Sequence, residues 1–242
     1  MAECKSDIIS RLQQQILNIQ GFKSGLEGHA VDFGLGELTA CFPNQIFPTA
    51  AIHEFLGTNL EDAAATGGFI SALLSTLMQK GGTCLWISTT GKIFPPSLTS
   101  FGIAPDRIIF IDLQKEKDVL WATEEALKCE SLAAVITEVD EISFAQSRRL
   151  QLVIEKSRVT SFIIRKHAEK LSATTAVARW KISQIPSEPI DGMPGLGFPR
   201  WEIELLKVKN GLTGSWKMEY SAGHFHPIQE AINPKEQIRV AI

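Results

Sequence analysis

Hydrophobic and polar positions along this chain fall into two regimes. Between residues 48 and 165, short continuously apolar runs alternate with longer stretches whose apolar residues recur every three or four positions. Ile52 to Leu56, Thr83 to Ser88 (TCLWIS), Arg107 to Ile111 (RIIFI), Leu132 to Thr137 (LAAVIT) and Val159 to Ile164 (VTSFII) read as strands. Ala63 to Lys80 reads as a helix, with Ala64, Phe69, Leu73, Leu74 and Leu77 inward and Gly81-Gly82 as its stop. Pro95 to Phe101 reads as a short helix, Asp118 to Lys128 as one carrying Leu120, Trp121 and Leu127, and Ser143 to Lys156 as another. Strands without alternation, each separated by a helix, are what a parallel sheet covered on both faces requires. Right-handed crossovers then make the core a doubly wound α/β structure.

The last third departs from this rhythm. Ala176 to Ser183, Arg200 to Val208 and Ser215 to Tyr220 are strand-like with no helix between them, and Asn210-Gly211 is a hairpin dipeptide. These predict an antiparallel extension at one edge of the sheet, joined through an irregular loop from Pro186 to Pro199 that holds four prolines and three glycines. Ahead of the core, Ser6 caps a predicted helix with Ile8, Leu12 and Ile16 on one face. Gly21, Gly25, Gly28, Gly34 and Gly36 then mark a loose stretch to about Pro48. Gly223 to Ile242 reads as a peripheral tail. The expected organisation is therefore 1–47 (helix and irregular segment), 48–222 (core) and 223–242 (tail).

Composition narrows the class. With 242 residues, 44% hydrophobic and 21% charged, the chain is neither a disordered tail, a collagen-like fibre nor a coiled-coil rod. Its net charge of −3 advertises no polyelectrolyte partner. Cys4, Cys41, Cys84 and Cys129 are scattered with no CxxC pair, which argues against a zinc knuckle or redox dithiol and for a reducing compartment. The opening residues lack the apolar core of a signal peptide, and the longest apolar runs are too short for a membrane span. The expected location is the cytoplasm.

In an α/β sheet, ligands bind beyond the carboxyl ends of the strands. The segment Gly57 to Gly68 occupies the place of a phosphate loop, whose chemistry calls for glycines, a lysine on the outer phosphates and a hydroxyl for magnesium. No lysine lies between Gly57 and Met78, and Glu61 and Asp62 bring negative charge where a triphosphate would sit. Two readings stand: a helix opened by acidic caps, or an altered nucleotide site at Gly57, Thr66, Gly67 and Gly68, with Glu138 holding a metal through water. Asp140 reads equally as part of that site or as a helix cap. Arg165 and Lys166 close a strand and face either phosphate, an acidic partner or solvent. Arg148 and Arg149 on a helix and Lys207 and Lys209 on an edge strand are candidate partner or DNA contacts, with the two lysines also fit to protect that edge from pairing. His224-x-His226 has metal spacing without a Cys or acidic partner, so no metal site is expected. No Gly-x-Ser-x-Gly elbow supports triad hydrolysis.

Four stretches resemble a known family: Ala51-Ile52-His53-Glu54-Phe55-Leu56-Gly57; Leu120-Trp121-Ala122-Thr123-Glu124-Glu125-Ala126-Leu127-Lys128-Cys129; Ser147-Arg148-Arg149-Leu150-Gln151-Leu152; and Pro194-Gly195-Leu196-Gly197-Phe198-Pro199-Arg200-Trp201 through Gly214-Ser215-Trp216. Together they resemble the ImuA family, RecA-like accessory proteins of the bacterial damage-induced mutagenesis cassette, over about residues 45 to 220. The resemblance implies a RecA-like core of the P-loop NTPase type: a mainly parallel sheet sandwiched by helices, with a C-terminal antiparallel extension. It implies a role in error-prone translesion synthesis through contacts with RecA, with ImuB (an inactive Y-family polymerase relative) and with an error-prone DNA polymerase. It also implies nucleoid association under damage and at most indirect contact with DNA. Where the RecA ATPase core has a phosphate-loop lysine, a sheet-end Asp and a sensor Gln, this chain has no lysine, then Thr137 and Glu138, then Arg165-Lys166. The DNA-binding loop after the Val159 to Ile164 strand is shortened to about Lys166 to Thr174. These departures imply a non-catalytic member without a cofactor. The alternatives are an ATP- and magnesium-using or nucleotide-sensing protein in which Thr66 or Ser71 reaches the metal, and a division inhibitor of the SulA kind.

Overall fold

The structure, a computed structural model, describes residues 31–57, 59–91, 95–166, 172–189 and 197–228. The predicted helix from Ser6 lies outside the described residues. Five parallel strands form the centre: β1 (Ile52–Leu56), β2 (Thr83–Ser88), β3 (Ile108–Asp112), β4 (Leu132–Val139) and β5 (Thr160–Arg165). Four more continue the sheet: β6 (Ala178–Ile185), and then β7 (Arg200–Val208), β8 (Gly214–Ser221) and β9 (His224–Pro227), each of these three antiparallel to the strand before it. The nine-stranded order is β3-β2-β4-β5-β1-β6-β7-β8-β9, with β6 joining the two halves by pairing parallel to β1.

Among the described residues three α-helices cover the sheet: α1 (Leu60–Leu77), α2 (Glu116–Leu127) and α3 (Phe144–Ser157). Alternation along the strands sorts side chains between two cores. Phe55, Phe162 and Trp180 join Phe69, Leu73 and Leu74 of α1 on one face, while Ile52, Val135 and Ile163 join Val119 and Leu127 of α2 and Leu150 and Ile154 of α3 on the other. α1 starts three residues earlier than its apolar period predicts, because Asn59 caps it by accepting from the Asp62 amide at 2.7 Å. Ala64 is consequently exposed rather than inward. Ser143 opens α3 in a reciprocal capping box with Gln146, so the cap is Ser143 and not Asp140. Pro95–Phe101 is a 3-10 helix.

Three expectations change. The stretch before Pro48 is not loose from residue 31 onward: 3-10 turns at Gly36–Cys41 and Pro43–Gln45 bury Leu35, Leu38, Phe42 and Phe47 in the α1-side core. No period-two or period-3.6 signal marks such turns, so the chain reads as irregular until its packing is seen. β7 is an interior strand, since β8 and then β9 pair beyond it, and Lys207 and Lys209 guard no edge. The segment from Gly223, read as a tail, supplies the edge strand β9, whose Phe225 is buried against Phe69, Trp201 and Tyr220.

His53 sits fully buried in this aromatic core. Its ring stacks on Phe47 at 4.5 Å with an interplanar angle of 6°, Nε2–H donates to the Pro48 carbonyl at 2.7 Å, and Nδ1 accepts from Trp180 Nε1–H at 3.2 Å. Both ring nitrogens are thus satisfied in the neutral form, and desolvation pushes the pKa down from 6.5 to about 4. The unfolded chain takes up a proton below pH 6.5 that the folded chain refuses. Stability is expected to fall as pH drops from 6.5 towards 4, by about 3 kcal/mol in total. Urea midpoints compared across this window for the wild type and His53→Leu check it: the variant should lack that share of the acid slope.

Candidate functional site

Beyond the carboxyl ends of β1, β2, β4 and β5, the start of α1 and the β6–β7 side of the sheet enclose a cleft of about 1040 Å³. Its walls are largely apolar. Leu60, Ala63, Ala64, Gly67 and Gly68 come from α1, Leu98 and Phe101 from the 3-10 helix, and Ile164, Phe198 and Trp201 from the sheet and its loop. Gly68 is glycine for packing: a Cβ there would stand 3.1 Å from the Trp201 ring and 3.4 Å from Phe101. Leu60 and Phe198, large hydrophobics exposed to solvent at 74% and 41%, stand on its rim.

The polar groups of the cleft come from strand ends. Glu138, 9% exposed near the end of β4, accepts from Trp86 Nε1–H at 2.8 Å on one oxygen and from Thr90 Oγ1–H at 3.3 Å on the other. Lys166, one residue past β5, donates to Thr89 Oγ1 at 3.0 Å and lies 3.9 Å from Asp140. Arg200 at the start of β7 is held between Glu188 and Glu219, each at 2.7 Å, and these carboxylates raise its pKa further.

The described residues of the β1–α1 junction form a capped, acidic helix start. The helix begins four residues after Leu56, Asn59 occupies the Asp62 amide, and Glu61 and Asp62 fill the first turn. Thr66, Gly67 and Gly68 are not loop residues; they lie in the second and third turns of α1, where Thr66 is fully buried. Gly57 donates its amide to the Arg165 carbonyl at 2.9 Å.

Of the basic candidates, only Lys166 reaches the cleft. Arg165 is not solvated: it is fully buried and donates to Glu54 Oε1 at 3.0 Å. Glu54 Oε2 also accepts from Arg179 Nε at 2.7 Å and from Thr174 Oγ1–H at 3.0 Å. Arg148 pairs with Gln151 and Glu155 along α3, and Arg149 bridges to Glu124 of α2. Lys207 reaches the Thr174 carbonyl at 3.3 Å, its pKa lowered by desolvation and by Arg179, and Lys209 follows it at the end of β7. The structure therefore gathers Gly67, Gly68, Gly57, Glu138 and Lys166 around one cleft and disperses the rest. Trp86, Thr90, Phe101 and Trp201 are cleft residues that sequence reasoning missed; only the strand-end position of Thr90 carried a signal. Glu54 carried a clear one, as the lone charge inside the apolar run IHEFL.

No protein-family model matches the chain. The ImuA proteins of two Caulobacter vibrioides strains, NA1000 / CB15N and ATCC 19089 / CB 15, are each 30% identical to it over 213 residues, 82% of this chain and 87% of theirs. This chain belongs to the ImuA family. Three of the stretches that carry the family resemblance place residues with a clear physical role in the fold. In this ImuA-family chain His53 and Glu54 organise the two faces of β1, and Thr123 of the Trp-Ala-x-Glu-Glu-Ala-Leu stretch links α2 to β4 through Thr137 Oγ1 at 2.9 Å. Gly197 of the Gly-x-Pro-Arg-Trp stretch lies so near the Glu188 carbonyl that a Cβ there would clash with its oxygen. Among the described residues, no helix is long and apolar enough to cross a membrane, and no group of three His, Cys, Asp or Glu side chains is placed to hold a metal ion.

Proposed function

We propose that this chain is a non-catalytic accessory protein of DNA-damage-induced translesion synthesis. It acts through protein contacts, with a RecA-type ATPase, an ImuB-type polymerase relative and an error-prone polymerase as the expected partners. Family membership supports the setting. A parallel five-strand core with helices on both faces and an antiparallel extension supports the RecA-like reading of the fold. The observation that carries the non-catalytic reading is the β1–α1 junction: a capped helix start bearing Glu61 and Asp62 and apolar cleft walls, with one ammonium among the described residues, Lys166, already engaged by Thr89 and Asp140. Each unscreened carboxylate beside a triphosphate costs on the order of a few kcal/mol at ~4 Å, and an apolar wall returns none of the hydrogen bonds that phosphate loses with water.

Cells lacking the chain are expected to lose damage-induced mutation, and a Lys166→Ala variant, which removes the cleft ammonium from phosphate chemistry, should restore it as well as the wild type. Calorimetric titration of the purified chain with MgATP should give no heat of binding. Turnover of ATP, or failure of Lys166→Ala to restore mutation at wild-type protein level, counts against the proposal.

A further inference from the structure

We propose that the cleft between α1 and the β6–β7 side is a docking groove for an extended segment of a protein partner, one that presents apolar side chains and a single lysine or arginine, whose cation pairs with Glu138. The inference rests on the accessory reading above and specifies the partner chemistry of the same cleft. Three observations carry it. First, the floor and walls are apolar and aromatic, and Leu60 and Phe198 extend that surface onto the exposed rim. An apolar cleft continued by exposed large hydrophobics marks an interaction surface, and its volume of about 1040 Å³ fits several side chains in a row.

Second, among the described residues the charges inside the cleft do not balance. Lys166 is matched by Asp140, and Arg200 by Glu188 and Glu219. Glu138 is met only by neutral donors, Trp86 and Thr90, and by no cation among the described residues. A nearly buried carboxylate held by two neutral hydrogen bonds sits in a low-dielectric wall, where an incoming ammonium or guanidinium gains most. Third, that cation belongs to a side chain rather than being a metal ion, because the described residues offer no further carboxylate, histidine or cysteine in a ligating group with Glu138. The bonds from Trp86 and Thr90 also fix the carboxylate in place before a partner arrives, so little ordering is needed on binding.

Selection of short random peptides displayed on phage against the immobilised full chain tests this. Enriched peptides should combine apolar residues with one Lys or Arg. Their affinity should fall on the order of tenfold or more for Glu138→Gln, and replacing the basic residue by norleucine should cause no further loss in that variant. Ala64→Trp, which fills the cleft from an exposed helix position, should abolish binding while leaving the melting temperature near that of the wild type. Enrichment without basic residues, undiminished binding to Ala64→Trp, or no enrichment above an empty support overturns the proposal. ATP turnover by the chain would instead overturn the accessory reading and leaves these peptide results unaffected, so the two failures are distinguishable.

Discussion

Replacing Glu54 by alanine is expected to remove about 3–5 kcal/mol of stability, the range for breaking a buried ion pair by deleting one partner. The carboxylate is the common acceptor for Arg165 and Arg179, whose side chains are almost wholly buried, and for Thr174. Its loss removes the one carboxylate that both buried guanidiniums share, a cost that exceeds the lost hydrogen bonds themselves. The three elements it ties together are adjacent in the sheet: β1 lies between β5 and β6, with Glu54 in register with Ile163 on one side and Arg179 on the other. The damage should therefore appear at the junction of the parallel and antiparallel halves, where β6 alone connects them. Chemical denaturation checks the magnitude, and melting should fall by roughly 10 °C for a chain of this size. Glu124→Ala, which breaks the exposed pair with Arg149, serves as the control and should change stability by about 0.5 kcal/mol or less. Equal effects from the two variants would contradict the account.

Trp180→Ala should cost a similar amount, about 3–5 kcal/mol, by a different mechanism. The indole lies on the opposite face of β6 from Arg179, fully buried. It stacks on Phe55 at 5.9 Å and 8°, with Phe42, Phe47 and Phe69 around it and His53 Nδ1 as acceptor for its N–H. Truncation opens a cavity between α1, the 3-10 turns and the sheet, and strands the acceptor nitrogen of His53. The second consequence gives a signature that simple cavity formation does not. With Nδ1 unpaired and the pocket opened, the desolvation that depresses the His53 pKa is relieved. The variant should then show a shallower loss of stability between pH 6.5 and 4 than the wild type, although it is less stable at neutral pH. Trp121→Ala, at an exposed position on α2, should stay within about 0.5 kcal/mol.

The parallel core was legible because its signals are local. Continuous apolar runs of five or six residues, helix periods between them, Ser143 with Gln146 and the Asn210-Gly211 turn each state their structure within a few neighbours. Reading failed where burial is set by distant chain. The 3-10 turns before Pro48 owe their order to packing under α1, and β9 forms because β8 offers it an edge. Lys207 reads as edge protection only if no strand follows β7. Arg165 reads as a free cation because its partner Glu54 lies 111 residues earlier.

The order of residues by itself determined the α/β class, the antiparallel extension, the absence of a phosphate-loop lysine and the resemblance to one family, since each depends on spacing and residue type within short segments. Only the tertiary structure decided where charge ends up. It turned Glu54, Arg165 and Arg179 inward as one network, brought Lys166 and Glu138 to a shared cleft, and gave that cleft apolar walls from α1 and β7. The physical reason is that electrostatic and hydrophobic environment are properties of what surrounds a side chain in space. In a wound sheet those surroundings come from strands more than a hundred residues apart.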